Sequence, residues 1–204
     1  MAVSKVHPVE FLMEAYAAGQ RIFGENRVQE FQGKAGMLGG AYMGPDRARF
    51  HLIGPLQNNK TAKAAEIFDA VDTLDSLRTA QRLESTLREL GKSLPVLVEV
   101  KLSQEESKHG VAPAGLAGLL DELAGLKLVK VEGLMTVPPW SEDAELARPY
   151  FRQLRELREL HLPRHPGLTQ LSMGMSNDFA VAIEEGSTLV RIGTAIFGRR
   201  TSGA

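Results

Sequence analysis

Apolar positions along this chain follow two alternating patterns. Short runs dense in β-branched and apolar residues are each followed by a stretch whose apolar positions fall three and four apart, the period of an amphipathic helix. The first pattern predicts strands at Ala2-Val3, Arg21 to Gly24, Arg49 to Gly54, Ala70 to Leu74, Pro95 to Leu102, within Leu128 to Val137, Leu168 to Met173, and Leu189 to Ile192. The second predicts helices over Pro8–Ala18, Glu25–Met37, Asn59–Phe68, the segment after Ser76, Pro113–Ala124, Leu146–Leu160 and Asp178–Glu185. Punctuation agrees with the periods. Pro8 suits a first helical turn, and Gly19 and Gly91 suit the residue just past a helix end. Asp75 or Ser76 can cap the helix whose apolar stripe is Ala80, Leu83, Leu87 and Leu90. Phe151, Leu154 and Leu157 form the inward stripe of the helix before the seventh strand.

Eight strands separated by helices predict parallel βαβ units. In a chain of 204 residues they predict a single α/β domain spanning residues 1–204, a closed (β/α)8 TIM-type barrel with few insertions. A doubly wound open sheet is the structural alternative. The missing Gly-rich dinucleotide turn after the first strand weighs against it. Seven helices are predicted for eight strands, so one gap in the outer ring is expected to lack a full helix. The simplest reading is a shortened N-terminus, since the chain starts at the first strand.

Composition narrows the chemistry. The formal net charge of −1 offers no basic excess for nucleic acid or an anionic membrane surface. There is no cysteine, which excludes disulfides, zinc–cysteine sites and thiol nucleophiles. No apolar run approaches membrane-spanning length, and the first residues carry no apolar signal region. A cytoplasmic protein is expected. His161 and His165 lie four apart, but Pro163 between them interrupts any helix that would align them on a metal.

In a barrel, chemistry gathers where strands run into the loops at their C-terminal ends. The residues there are Lys5, Asn26, Asn58 with Asn59, Asp75, Lys108, Met135-Thr136, Ser172 to Asn177, and Arg191 to Thr194. Lys5 ends the first strand. A lysine at a barrel mouth is desolvated, which favours the neutral amine that attacks carbonyls; the plain alternative is a surface lysine at a strand end. Ser172 to Asp178 joins a strand to a helix with small residues, and Arg191 to Thr194 follows on the next strand. Barrel phosphate sites are often built from the loops after strands seven and eight. A simple N-cap at Ser176 or Asn177 is the competing reading. His51 sits mid-strand and reads as a hydrogen-bonded core histidine. Met135, Met173 and Met175 read as core or pocket lining.

These residues resemble one family. Ala2-Val3-Ser4-Lys5, Phe23-Gly24-Glu25-Asn26, His51 to Lys60, Ser107 to Gly110, Gly133 to Pro138, Leu171 to Ser176 and Arg191 to Gly198 together resemble the YggS/PROSC-type pyridoxal phosphate homeostasis proteins, over nearly the whole chain. The resemblance implies a fold like the N-terminal barrel domain of alanine racemase and pyridoxal 5'-phosphate as cofactor. It implies that Lys5 forms a Schiff base with the cofactor, within a set of Asn26, Asn58, Met135, Ser172, Ser176, Arg191, Gly193 and Thr194. Gly193 and Thr194 would offer backbone N–H groups to the phosphate, Ser176 a hydroxyl, and Arg191 would face the pyridine nitrogen. An arginine there holds its proton, so the ring stays a poor electron sink. Two features depart from the family: the helix usual before the first strand is missing, and His7 stands where many members have a second lysine.

Two function classes follow. One is a non-catalytic binder that contributes to intracellular homeostasis and delivery of the cofactor to apo-enzymes, with Lys108 as a candidate transfer lysine. It would act as a monomer, or as a weak dimer. The alternative is an amino-acid racemase. Racemisation needs acid–base groups on both faces of the substrate Cα, and Tyr16, Tyr42 and Tyr150 fall in segments away from the strand ends.

Overall fold

A computed structural model describes residues 1–103, 105 and 109–198. Eight parallel strands run in sequence order: β1 (Ala2–Val3), β2 (Ile22–Glu25), β3 (Arg49–Leu52), β4 (Ala70–Leu74), β5 (Leu94–Glu99), β6 (Val129–Met135), β7 (Gln170–Met175) and β8 (Leu189–Arg191). The last strand returns to the first. Ala2 bridges Ile192 in parallel, Val3 N–H donates to the Ile192 carbonyl at 2.8 Å, and Ile192 N–H donates to the Met1 carbonyl at 3.0 Å. The sheet is therefore a closed (β/α)8 barrel, as the strand count implied.

The outer ring holds α1 (Val9–Ala17), α2 (Val28–Ala35), α3 (Gly40–Met43), α4 (Thr61–Ile67), α5 (Leu77–Leu90), α6 (Pro113–Leu123), α7 (Arg148–His161), α8 (Phe179–Glu184) and α9 (Thr194–Phe197). The main core lies between barrel and helices. Phe31 of α2 stacks on Phe50 of β3 at 4.6 Å between ring centroids and meets Phe68 at 4.8 Å. In α5 the stripe of Ala80, Leu83 and Leu87 is fully buried. Leu90, predicted to continue it, is exposed on the last turn. Ser76, not Asp75, caps this helix, and Gly91 closes it at φ 64°.

The second helix starts later than expected. Glu25 belongs to β2, where it pairs with Leu52, because its carboxylate is neutralised inside the protein rather than solvated on a helix. The seventh strand runs two residues further than its apolar run predicted. A register shift between Ser172 and Met175 and a φ of 97° at Gly174 carry the chain past Met173. A Cβ on Gly174 would sit 2.5 Å from the Ala182 Cβ, so no side chain fits there. Two short helices were not foreseen. Tyr42 anchors α3 by packing on Phe31 and Phe50 and donating to the Ile67 carbonyl. The other, α9, is the only helix after β8 among the described residues, and it is four residues long. Val190, which faces outward from β8, is accordingly only half-buried, the thin cover that the helix count predicted. Among the described residues no helix is long and apolar enough to cross a membrane.

At the end of α8, Glu185 is nearly buried among Arg148, Arg152 and Arg155 of α7, at 3.2, 3.0 and 3.1 Å. The hydrogen bond from Arg152, reinforced by that from Arg148, holds its carboxyl below the ordinary value. A carboxylate with a depressed folded-state pKa adds stability that is complete above its unfolded value and lost as pH falls through the folded one. Denaturation followed between neutrality and about pH 3 should show a loss of stability on the acid side that Glu185→Gln flattens. An unchanged acid limb in the variant would remove this cluster from the pH response.

Candidate functional site

Register decides which side chains enter the barrel. Val3 pairs with Gly24, Gly24 with His51, His51 with Ala70, Glu99 with Met135, and Met135 with Ser172. Paired residues share a face, and alternate residues along a strand share it too. The inner face thus carries Val3, His51, Asp72, Glu99, Met135, Ser172 and Arg191, followed at the mouth by Lys5 and Asn26.

Over this interior lies a cavity of about 680 Å³ at the C-terminal ends of the strands. Lys5, Asn26, Ser176, Arg191, Gly193 and Thr194 line it. Ser172 lies just beneath, fully buried, and accepts a hydrogen bond from Arg191 Nη1 at 2.7 Å. Met135 is buried in the barrel interior and is not among the lining residues. Asn58 falls outside the cavity: it is exposed on a single 3-10 turn, where its carbonyl accepts from Thr61 Oγ1 and Arg82 Nη1. Lys108 lies outside the described residues.

Arg191 anchors the floor. Nη2 donates to the Thr136 carbonyl at 2.8 Å, while Nη1 holds Ser172. Burial lowers its pKa, and the negative charges of Asp72, Glu99 and Asp178 oppose that shift. Asp72 in turn meets His51 Nδ1 at 3.0 Å, which agrees with a hydrogen-bonded core histidine. Asp72 Oδ2 is buried with no hydrogen-bond partner among the described residues.

Two loops meet beside this floor. Ser176, just past β7, takes long hydrogen bonds from the Gly193 and Ala195 N–H groups, both at 3.3 Å. Asp178 Oδ1 accepts from Met175 N–H at 2.6 Å and holds the β7 loop in place. At the opposite side, Gly54 lets its strand end pass against Asn26: a Cβ there would collide with the Asn26 carbonyl.

Several lining residues escaped the sequence reading. Thr73 and Glu99 sit at strand ends that carried no recognisable motif; Trp140 and Ser141 sit in a loop after a Pro-Pro step. Trp140 is 73% exposed at the rim, a large apolar surface beside an opening, where nothing in the sequence pattern placed it. His165 pairs with Asp121 at 3.2 Å at the far end of the molecule. Among the described residues no group of three or more His, Asp or Glu side chains could hold a metal.

Comparison with known proteins identifies the family and agrees with the fold. Residues 1–201 match the family model described as alanine racemase, N-terminal domain. The chain is 45% identical over 201 residues to the pyridoxal phosphate homeostasis protein of Vibrio alginolyticus, covering 98% of this chain and 85% of that relative. The chain belongs to the pyridoxal phosphate homeostasis protein family. The Aquifex aeolicus member is 43% identical, covering 98% of this chain and 86% of its own length. A solved structure of PipY from Synechococcus elongatus with PLP bound superposes with a TM-score of 0.90 at 42% identity, covering 97% of this chain and 91% of that one. Alanine racemase from Clostridium difficile superposes with a TM-score of 0.77 at 16% identity, over 98% of this chain and 55% of that one, a likeness of fold alone.

The fork of Arg191 predicts a measurable cost. Arg191→Met would leave the Thr136 carbonyl and Ser172 hydroxyl unmet and three acids without their counter-charge. Chemical denaturation should report a loss of about 3–5 kcal/mol, the range for breaking a buried charged contact. A loss below about 1 kcal/mol would mean the fork does not hold the floor.

Proposed function

We propose that this chain binds pyridoxal 5'-phosphate in the barrel-mouth cavity, with Lys5 as the residue that forms a Schiff base with it. When bound, the cofactor supplies an aldehyde carbon reactive toward amines and a ring that withdraws electrons from that carbon. The observation that carries the reading is the pairing of Lys5 with the Ser176 cluster across one cavity. Ser176 is held by two amide donors at 3.3 Å, long for N–H···O bonds. Amides satisfied this weakly favour a stronger acceptor, and a phosphate oxygen is one. Gly193, Thr194 and Ala195 therefore supply the phosphate end and Lys5 the aldehyde end. Arg191 lines the same cavity from its floor. Its guanidinium keeps its proton, so it can donate a hydrogen bond but cannot protonate a ring nitrogen.

The role proposed is to hold and hand over the cofactor, with apo-enzymes as recipients, rather than to turn over amino acids. Tyr16 and Tyr42 commit their hydroxyls to the Asp46 and Ile67 carbonyls, at 2.9 and 3.1 Å, and no tyrosine lines the cavity. A racemase would need a second acid–base group opposite Lys5; the cavity offers His7 and His109 for such a role rather than a tyrosine. The names of the relatives support the same role.

Two measurements test this. Adding pyridoxal phosphate to purified protein should raise a near-visible absorbance band, and borohydride should then fix the cofactor to Lys5 in a peptide map. Pyridoxal, which lacks the phosphate, should bind at least about tenfold more weakly, the loss of one charge-assisted hydrogen bond or more. An undiminished band in Lys5→Ala, or equal affinity for both aldehydes, would refute the site. Separately, incubation with D- or L-alanine should give no interconversion at enzyme-like rates. Turnover that disappears in Lys5→Ala would favour the racemase.

A further inference from the structure

Behind the strand that carries Lys5 lies a buried ionic cluster that the binding site itself does not use. Glu25, at the end of β2, is fully buried on the outer face of the barrel. It accepts from Ser4 Oγ at 2.7 Å and from Lys34 Nζ of α2 at 3.0 Å. Lys34 also donates to the Ser4 carbonyl at 3.1 Å and to Glu30 Oε1 at 2.8 Å. Glu30 Oε1 accepts the Val6 N–H at 2.5 Å. The residues held, Ser4 and Val6, are the two that flank Lys5.

Val6 shows the effect on the backbone. Its φ is 60°, and it is the one non-glycine residue with positive φ among those described. A β-branched residue is strained in that region, and such strain persists only where the surroundings over-determine it. Burial raises the Glu25 pKa and the Lys34 charge lowers it, so the cluster stands against a real desolvation cost. An apolar pair would hold α2 on β2 at least as well. It would not grip a carbonyl on one side of Lys5 and an amide on the other.

We propose that Glu25 is a positioning residue for Lys5, acting through Lys34 and Glu30. By gripping both neighbours on the outer face, the cluster fixes the turn that aims the intervening side chain into the cavity. Its consequence is a Lys5 amine presented in one orientation to an incoming aldehyde. The inference rests on the reading of Lys5 as the cofactor lysine.

The test compares wild type with Glu25→Gln in three measurements. The first is trace acetylation of the cofactor-free protein, with Lys5 reactivity read by peptide mapping against other lysines. The second is the rate of pyridoxal phosphate capture followed by absorbance. The third is binding of pyridoxine 5'-phosphate, which has the same ring and phosphate but no aldehyde. Glu25→Gln should change Lys5 reactivity relative to the other lysines and slow capture about tenfold, the scale of one charge-assisted contact, while pyridoxine phosphate affinity stays within about twofold. Unchanged capture overturns the proposal. So does an equal loss of both ligands, which would mark a general structural role. If Glu25→Gln does not fold, Glu30→Gln serves, because its side chain is 24% exposed. It should slow capture about threefold, with no change counting against the proposal. Lys5→Ala separates the two levels. Loss of the band there with normal capture by Glu25→Gln defeats only the positioning role, whereas a band retained in Lys5→Ala defeats both.

Discussion

Closure of the sheet between β8 and β1 sets where everything else falls. The Val3 N–H to Ile192 carbonyl bond, at 2.8 Å, brings the last strand against the first although almost the whole chain separates them. Lys5 lies two residues beyond Val3, and Gly193 follows Ile192 directly. A Cβ on Gly193 would touch that of Val3 at 3.5 Å, so the two strand ends are in van der Waals reach. An amine from the start of the chain and amide donors from its end therefore share one rim. An open sheet of the same elements would put them on opposite edges.

The same closure forces a division of labour between the two faces of each strand. Most outward residues meet the helices and are apolar, as with Phe23, Phe50, Leu134 and Leu171, the Glu25 cluster being the exception. Inward residues near the mouth are polar, and the interior tolerates them only as a balanced group. Arg191 sits among Asp72, Glu99 and Asp178, with its hydrogen bonds spent on Ser172 and Thr136. A single uncompensated member would be costly in so little solvent.

Much of this was legible from period and punctuation. Alternation between strand-like and helix-like runs predicted all eight strands, and the reading of strand ends picked out Lys5, Asn26, Ser176 and Arg191, which line one cavity. What escaped depends on contacts distant in sequence. Asn58 resembled a strand-end ligand, but the chain leaves β3 at Leu52, and five intervening residues carry it out to solvent. Glu25 resembled the start of a helix because a charged residue after Phe23-Gly24 normally marks a strand's end. Only Ser4 and Lys34, 21 residues before it and 9 after, make its burial tolerable. Gly174 carried no local sign that its strand would bulge, since that demand comes from Ala182 packed against it.

Polarity placed against expectation also separates the two ionic clusters of this molecule. The Glu185 cluster lies on α7 and at the end of α8, gathers three arginines that are a quarter to half exposed, and has no member among the described residues that line the cavity. Pairs of that kind join helices and contribute modestly, since solvent competes for each partner. The Glu25 cluster has its carboxylate wholly enclosed, grips backbone atoms as well as side chains, and coincides with a left-handed valine. Buried charge of this form is a poor source of stability compared with an apolar pair of equal volume. Its physical advantage is directional: hydrogen bonds specify where Ser4 and Val6 must lie, which packing alone does not. That demand for direction falls on the residue between them, Lys5, which under the proposed function is the one whose amine would have to reach the aldehyde carbon of a cofactor anchored by its phosphate.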